Sequence, residues 1–475
     1  MRKITAIIIF ALILSLFTAC GNNDKESNRI DSNEKNIQST IIDNENITLK
    51  QIDSNDVEMK LFPGFGYVIT PNDALYTWGE NSCIGNGNHG SETPIKIMEN
   101  VKKLVLPEAD VPYRTNAVIT NNHELYIWGI DPVSQEQIYT PIKIMDNVSD
   151  VQFGIDFDEY DISCITILTT SGEVYTYGIN YNGQLGNGSE INSTSKLTKI
   201  LDNIKQICIS EYSSMALSND GTLYTWGGGK ENSIPISTLV DIKKINSGYF
   251  SDEFNGAFSV ITNNDELYVQ GFRKSEFEKI ADNIQEVYML GDAYGFCLSN
   301  DNILYYFDKN KKFNDEDIPL TEVIKDVKSY YIEGRYIAIV STSNGIYRCE
   351  KTESALMTDE FEAIEYKHEN SAYGDYQAFL NNSSELYIWG GNNDFGQLGN
   401  GTTEPLYEPN KLMTDVICFD IGQEFNNGGF AGAITSNGDF YTWGMDNEGI
   451  LGNGELYDTL VPTKIMNVIT EEIYN

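Results

Sequence analysis

Residues 174–188 read Val-Tyr-Thr-Tyr-Gly-Ile-Asn-Tyr-Asn-Gly-Gln-Leu-Gly-Asn-Gly, a short strand-like phrase followed by a glycine-rich tail. The phrase Leu-Tyr-x-Trp-Gly, or a close variant of it, recurs at residues 75–79, 125–129, 174–178, 223–227, 386–390 and 440–444. Weaker copies begin at residues 267, 304 and 346. The tyrosines of these nine copies are 37 to 54 residues apart, so one unit is repeated from about residue 57 to the end.

Each unit contains short apolar runs with the alternation of β-strands, joined by turns such as Asn-Asp-Gly, Asn-Asn or Ser-Gly. Units of ~40–50 residues with four short strands are typical of propeller blades, because only a neighbouring blade can cover each face of such a sheet. The sequence therefore predicts an all-β protein, a β-propeller of four-stranded blades in a single closed ring over residues 56–475. Nine units are counted, and we expect seven to nine blades.

The fullest glycine-rich tails are residues 178–188, 391–401 and 444–454, and residues 79–87 are a shortened form. Together with the preceding aromatic-glycine pair they resemble the regulator of chromosome condensation repeat family, whose hallmark is Trp-Gly-x-Asn-x-x-Gly-Gln-Leu-Gly. The resemblance implies a β-propeller, most often of seven blades. The positions that we assign to the structural repeat are Trp78, Trp128, Tyr177, Trp226, Trp389, Trp443, Gly186, Gly399 and Gly452.

The tail glycines have a structural interpretation. Gly183, Gly186 and Gly188 are expected to adopt positive φ or to approach a neighbour closely, while Leu185 points inward. A phosphate-binding loop is the alternative, but these segments lack GxxxxGK[ST], a following helix and a nearby lysine.

The amino terminus reads Met-Arg-Lys and then runs through apolar residues from Ile4 to Phe17. This pattern is typical of a secretory signal peptide and is shorter than the ~20 residues of an ordinary transmembrane helix. Cys20, directly after Thr18-Ala19, makes the segment resemble a bacterial lipoprotein signal. The resemblance implies cleavage before Cys20 and lipidation of its thiol. An ordinary secretory signal with a chance cysteine is the alternative.

Three segments follow from these patterns: a signal peptide over residues 1–19, a lipidated disordered tether over 20–55, and the propeller. The tether is rich in Asn, Asp, Ser, Glu and Lys and has no aromatic residue, so it cannot bury enough surface to fold. Two acyl chains hold a protein stably on a bilayer. We therefore expect a protein anchored to the cell membrane, on its extracytoplasmic face, through the N-terminal lipid alone.

The 475-residue chain contains 70 acidic and 32 basic residues, giving a formal net charge of −38. This charge argues against a nucleic-acid partner, because phosphate contacts need lysine and arginine. The three histidines, His89, His123 and His368, lie in different units and predict neither a catalytic triad nor a metal cluster. We expect no metal, no cofactor and no catalytic residue, and hence a protein that is not an enzyme.

The segment between the first two apolar strands of most units places aromatic residues beside carboxylates. Equivalent loops of a propeller emerge on one face, and aromatic side chains are enriched in the cores of protein interfaces. The candidate partner-binding residues are Tyr113, Phe157, Asp158, Tyr160, Tyr212, Tyr249, Phe250, Asp252, Phe254, Tyr294, Tyr336, Tyr376 and Phe425. The alternative is that these rings pack between blades.

The sequence thus favours a monomeric cell-surface lipoprotein that binds another protein, one with a basic surface, through loops on one face and without catalysis. A carbohydrate-binding or glycan-degrading surface protein is the alternative function, because any of the many acids could form a carboxylate pair. A purely structural spacer is a third. Residues 468–473 resemble the start of another unit and are expected to complete the first blade.

Overall fold

The structure is a computed structural model that describes residues 51–474, apart from 80–83, 88–89, 108–114, 157–160, 190–192, 210–212, 230–231, 248–256, 272–275, 292–293, 309–319, 334–336, 351–352, 359–362, 370–375 and 424–427. Residues Lys50–Asn475 form one compact unit. The described residues contain strands and turns but no α-helix, and hence no helix long and apolar enough to span a bilayer.

Within the described residues the strands form nine antiparallel sheets, each built from consecutive strands. The first strands of the sheets are β1 (Glu58–Phe62), β5 (Val101–Val105), β9 (Val148–Asp156), β13 (Ile204–Ile209), β17 (Ile242–Ser247), β21 (Ile284–Gly291), β25 (Val327–Glu333), β29 (Ala363–Glu369) and β33 (Val416–Gln423). The second strands are β2 (Phe65–Ile69), β6 (Thr115–Thr120), β10 (Asp161–Thr169), β14 (Ser213–Ser218), β18 (Phe258–Thr262), β22 (Tyr294–Ser299), β26 (Ile337–Thr342), β30 (Tyr376–Asn381) and β34 (Gly429–Thr435).

The third strands contain the repeated Leu-Tyr phrase. They are β3 (Leu75–Gly79), β7 (Leu125–Ile130), β11 (Val174–Ile179), β15 (Leu223–Gly227), β19 (Leu267–Gln270), β23 (Leu304–Asp308), β27 (Gly345–Glu350), β31 (Leu386–Gly390) and β35 (Asp439–Gly444). The fourth strands are β4 (Ser91–Met98), β8 (Gln137–Met145), β12 (Ser193–Leu201), β16 (Ile236–Leu239), β20 (Glu278–Ala281), β24 (Thr321–Ile324), β28 (Glu353–Thr358), β32 (Leu406–Met413) and β36 (Thr459–Asn467). A short β37 (Glu472–Ile473) pairs with β36, so the ninth sheet has five strands.

Burial differs between the strands of a sheet. Second strands such as β2, β18 and β34 are buried along their whole length. Fourth strands such as β8 and β16 are largely exposed or half-buried, and several contain a proline. Proline has no N–H to offer to a further strand, so it suits the free edge of a sheet.

Each hydrophobic cluster of the core is shared by two successive sheets. Phe65 of the first sheet packs with Trp128 of the second, and Leu217 of the fourth packs with Phe258 of the fifth. The ninth and first sheets share a cluster in the same way, and β33 lies next to β1. Among the described residues, eight such clusters join successive sheets, so most sheets have both faces buried by their neighbours, as the repeated apolar pattern predicted.

Most successive sheets are joined at the same end, through the turn between the second and third strands. The turn between the second and third strands bonds to the start of the next sheet: Val101 N–H donates to the Asp73 carbonyl at 2.8 Å and Ile242 N–H to the Gly221 carbonyl at 2.9 Å. The connections from first to second strand and from third to fourth strand consequently lie at the opposite end of each sheet. We call this the hairpin end.

The expectation that residues 468–473 add to the first sheet was wrong in its pairing. Val468 begins as the first residue of a new sheet would, since its N–H donates to the Gly438 carbonyl at 2.8 Å. The chain then turns back, and Glu472–Ile473 pairs with β36 of its own sheet. The first sheet remains four-stranded because its own segment, Glu58–Phe62, already pairs with β2.

Candidate protein-binding face

The aromatic-acidic segments singled out in the sequence are the connections between the first and second strands of the sheets, at the hairpin end. Most of their side chains lie outside the described residues: Tyr113, Phe157, Asp158, Tyr160, Tyr212, Tyr249, Phe250, Asp252, Phe254, Tyr336 and Phe425. Tyr294 is described, and it is half-buried at the first position of β22.

Tyr376 is a correction to the candidate set. Its side chain is fully buried, and its hydroxyl donates to the carbonyls of Gly422 and Phe430, the latter at 3.0 Å. The ring therefore fastens the eighth sheet to the ninth and cannot contact a partner. At this position the alternative interpretation, packing between blades, is confirmed.

The glycine-rich tails also lie at the hairpin end, between the third and fourth strands, and their glycines behave as predicted. Gly183, Gly186 and Gly188 have φ of 74°, 64° and 67°, and Leu185 is completely buried. The Asn180 carboxamide oxygen accepts a hydrogen bond from Leu185 N–H at 3.0 Å and thereby fixes the turn.

Each tail forms a socket for the tryptophan of the next sheet. Trp226 Nε1–H donates to the Gln184 carbonyl at 2.9 Å, and Trp443 Nε1–H donates to the Gln397 carbonyl at 3.0 Å. A Cβ added at Gly186 would lie 2.7 Å from Trp226 Cδ1, and a Cβ added at Gly399 would lie 2.8 Å from Trp443 Nε1. Glycine is required here because the indole lies directly against the tail backbone.

The same socket joins the ninth sheet to the first. Trp78 Nε1–H donates to the Ile450 carbonyl at 2.6 Å, and a Cβ at Gly452 would lie 2.9 Å from Trp78 Nε1. A second contact repeats as well. Gly188 N–H bonds to the Ser233 carbonyl on the next sheet, and Gly454 N–H bonds to the Glu92 carbonyl of the first sheet, both at 2.8 Å.

The burial of the tryptophans follows the sockets. Trp78, Trp128, Trp226 and Trp443 all follow a sheet with a tail, and none is more than 2% exposed. Trp389 follows the seventh sheet, where only two residues join β27 to β28, and it is half-buried.

In several sheets, a carboxylate just before the third strand, at the end opposite the hairpin end, forms a salt bridge with a lysine of the fourth strand. Glu385, just before the Leu-Tyr pair of the eighth sheet, accepts from Lys411 at 3.0 Å, and Glu124 and Glu173 hold lysines in the same way. The first sheet has Ala74 at this position. Glu471 from the C-terminal segment supplies the missing carboxylate.

Glu471 binds four side chains of the first sheet. It accepts from Tyr76 at 2.8 Å, from Lys96 at 2.9 Å, and also from Thr70 and Asn72. Burial opposes ionisation, but these donors outweigh it and lower the pKa of Glu471. Burial first, and then the Glu471 carboxylate, raise the pKa of Tyr76 to about 12.

Asp446 is the anomalous residue of the ninth tail. It stands where two other tails have Asn180 and Asn393, and its Oδ1 accepts from Leu451 N–H at 3.3 Å. Its Oδ2 is buried and has no hydrogen-bond partner within the part of the chain that the structure describes. Burial, together with the charges of Asp458 and Glu92, raises the pKa of Asp446 to about 6.

The histidines are in separate places: His89 between β3 and β4, outside the described residues, His123 in a turn, and His368 in β29. Over the part of the chain that the structure describes, no three His, Cys, Asp or Glu side chains are arranged to hold a metal ion. Sequence analysis missed Glu471 and Asp446. The absence of an acid at Ala74 and the replacement of asparagine by aspartate in one tail were the available signals.

The regulator of chromosome condensation (RCC1) repeat profile matches residues 171–217 and 437–473. These two matches support the RCC1 repeat family. The first match begins just before the third strand of one sheet, β11, and continues into the first two strands of the next sheet, β13 and β14. The second match includes the C-terminal segment that follows β36.

Three relatives match over short segments. The chain is 36% identical to human E3 ubiquitin-protein ligase HERC2 over 93 residues, 19% of this chain and 2% of the relative. It is 34% identical to Arabidopsis thaliana ultraviolet-B receptor UVR8 over 88 residues, 18% of this chain and 20% of the relative. It is 28% identical to human regulator of chromosome condensation over 80 residues, 16% of this chain and 19% of the relative. The matches thus span a fifth or less of these relatives.

Two solved structures are similar over most of the chain. Yeast RCC1 (Prp20), in a structure with Kap60, has 15% identity and a TM-score of 0.39, covering 94% of this chain and 92% of that chain. Human WBSCR16 has 14% identity and a TM-score of 0.38, covering 83% of this chain and 93% of that chain.

Proposed function

We propose that this chain is a cell-surface lipoprotein whose propeller binds another protein, without catalysis, through its hairpin end. The observation that carries the proposal is the topology: every connection between first and second strands lies at the same end as the tails. Loops that share one rigid end can contact a partner together, and the sockets beneath them hold neighbouring sheets in place.

We further propose that the nine sheets close into a single ring. The ninth and first sheets make the contacts that successive sheets make elsewhere. Trp78 Nε1–H donates to the Ile450 carbonyl in the ninth tail, and Gly454 N–H donates to the Glu92 carbonyl. In addition, Leu61 N–H donates to Asp420 Oδ2 at 2.8 Å. A closed ring leaves no sheet with a bare face.

The acidic composition favours a partner with a basic surface. The carboxylates in the hairpin segments would speed encounter with a positive patch, and the aromatic residues beside them would supply contact area.

A capture experiment tests the partner-binding role. The full chain is immobilised and exposed to envelope extract, and the triple change Tyr249→Ala, Phe250→Ala, Phe254→Ala should abolish capture and leave melting unchanged. The matched control is Tyr139→Ala with Tyr407→Ala, which removes aromatic residues 45% and 74% exposed on fourth strands. Undiminished capture by the triple variant would contradict the proposal, as would equal loss in the control.

A separate experiment tests the anchor. Cells expressing the chain are fractionated after labelling with a radioactive fatty acid, and Cys20→Ala should lose the label and leave the membrane fraction. An unlabelled wild-type chain, or a Cys20→Ala chain that stays in the membrane, would reject lipidation and leave the binding proposal intact.

A further inference from the structure

The ninth tail differs from its counterparts at one buried atom. In the third sheet, the Asn180 amide donates from Nδ2 to the Ser189 carbonyl at 3.1 Å. In the eighth sheet, Asn393 Nδ2 donates to the carbonyls of Thr402 and Glu404 at 2.9 and 2.8 Å. Both tails therefore use a side-chain N–H to hold the returning backbone.

Asp446 has the same place and makes the same Oδ1 bond, but its second polar atom is an oxygen. An ionised carboxylate has no hydrogen to donate to a carbonyl. Its Oδ2 accordingly has no partner among the described residues, and the side chain is 9% exposed. A buried, unpaired carboxylate oxygen destabilises the ionised form.

The groups that face Asp446 increase this penalty. Asp458 accepts from the Asp446 backbone N–H at 2.9 Å and brings a second carboxylate close. Glu92, on β4 of the first sheet, adds a third negative charge. These neighbours and burial together favour the protonated acid.

We propose that Asp446 is a proton-sensitive contact, which gains a proton in mildly acidic solution and then holds its tail as the asparagines hold theirs. The protonated side chain has an Oδ2–H to donate, as the asparagine side chains have an Nδ2–H. Protonation of Asp446 would strengthen the contact between the ninth sheet and the first. Ile450 of the same tail accepts from Trp78, and Gly454 bonds to Glu92, so firmer packing of the tail fastens the first sheet to the last.

The direction in which stability changes with pH follows from the shift in the pKa of Asp446. A carboxyl whose pKa is raised on folding, here from 3.8 to about 6, takes up a proton on folding between those values. The folded state therefore gains stability as the pH falls from neutral through the folded pKa. Above that value the ionised Asp446 weakens the junction.

Thermal unfolding of the full chain by circular dichroism tests this, with Asp446→Asn as the variant. Asparagine restores the amide donor, so we expect its Tm to exceed that of the wild type by about 2 °C near pH 7.5 and by about half as much near pH 5. The control is Asp394→Asn, which removes one charge from an exposed position in the eighth tail. Hydrogen–deuterium exchange adds a local measurement: residues 444–460 and 72–79 of the wild type should exchange more slowly at the lower pH after correction for intrinsic rates.

Three results would overturn the proposal. Asp446→Asn could show the same Tm difference at both pH values, or Asp394→Asn could reproduce its pH-dependent gain. Alternatively, added Na⁺ or Ca²⁺ at neutral pH could remove the difference between wild type and Asp446→Asn, which would assign neutralisation to a cation instead of a proton.

Discussion

Alanine at Gly186 is the sharpest test of the sockets between sheets. Gly186 has φ of 64°, and an added Cβ would lie 2.7 Å from Cδ1 and 2.8 Å from Nε1 of Trp226. Gly188 has a closely similar φ of 67°, but its Cβ would meet only Ile234 Cγ2, at 3.0 Å. The two glycines therefore share backbone strain and differ in what the new methyl group contacts.

The left-handed conformation costs alanine about 1–2 kcal/mol at either position. Gly186→Ala must also displace the buried indole and break its hydrogen bond to the Gln184 carbonyl, 2.9 Å long, which costs about 1–3 kcal/mol more. At Gly188 a flexible methyl group moves aside. We therefore expect Gly186→Ala to destabilise the chain by about 2 kcal/mol more than Gly188→Ala.

Urea unfolding followed by circular dichroism measures both variants against the wild type. The midpoints report stability provided that the dependence of the unfolding free energy on urea concentration has the same slope in all three proteins. Equal midpoints for Gly186→Ala and Gly188→Ala would refute the reasoning, because the indole would then have no specific fit to the tail. A lower midpoint for Gly188→Ala would refute it more strongly.

Three further changes test the contact between the ninth and first sheets. Trp78→Phe removes the hydrogen bond to the Ile450 carbonyl and should lower the free energy of unfolding by about 2–3 kcal/mol. Trp443→Phe loses the matching bond to the Gln397 carbonyl and should have the same effect. A Trp78→Phe variant as stable as the wild type would show that the two junctions differ. Glu471→Gln should lower stability by about 1–2 kcal/mol at neutral pH. Since the pKa of Glu471 is lowered on folding, its contribution is present above about pH 4.3 and is lost as the pH falls through the folded value, so the two proteins should converge in acid. Deletion of 468–475 exposes the cluster around the buried Val468 and should lower Tm by more than Glu471→Gln does; an equal drop would leave Val468 without a role.

The sequence pattern predicted the sheets well because strand formation depends on nearby residues. The nine Leu-Tyr copies all lie in third strands, including the weak copies at Leu267, Leu304 and Ile346. The leucine and the aromatic at the fourth position of the phrase lie on opposite faces of the strand, so burial of both depends on the neighbouring sheets. Trp78, Trp128, Trp226 and Trp443 are buried against glycine-rich tails, while Trp389, whose preceding sheet has no such tail, is half-buried.

The assignment of the aromatic-acidic segments to a partner-binding face stays a prediction, because most of their side chains lie outside the described residues. The segments with aromatic and acidic side chains do connect first and second strands, because turn residues separate two apolar runs in each unit. Whether a ring at such a position points out or packs inward depends on the neighbouring sheet. Tyr376 packs inward because Gly422 and Phe430 of the next sheet offer carbonyls to its hydroxyl.

The sequence by itself determined the repeated unit and its four strands, since both rest on contacts within a few residues. It also marked the tail glycines by their repetition, although the indole that excludes a side chain at Gly186 comes from the next sheet. Only the tertiary structure decided how the ninth sheet contacts the first. Glu471 and Tyr76 are 395 residues apart in sequence, so no local pattern pairs them. The same holds for Asp446, whose environment includes Glu92 of the first sheet. Local patterns carry no information about such pairs, because their energies depend on distances that only the folded chain fixes.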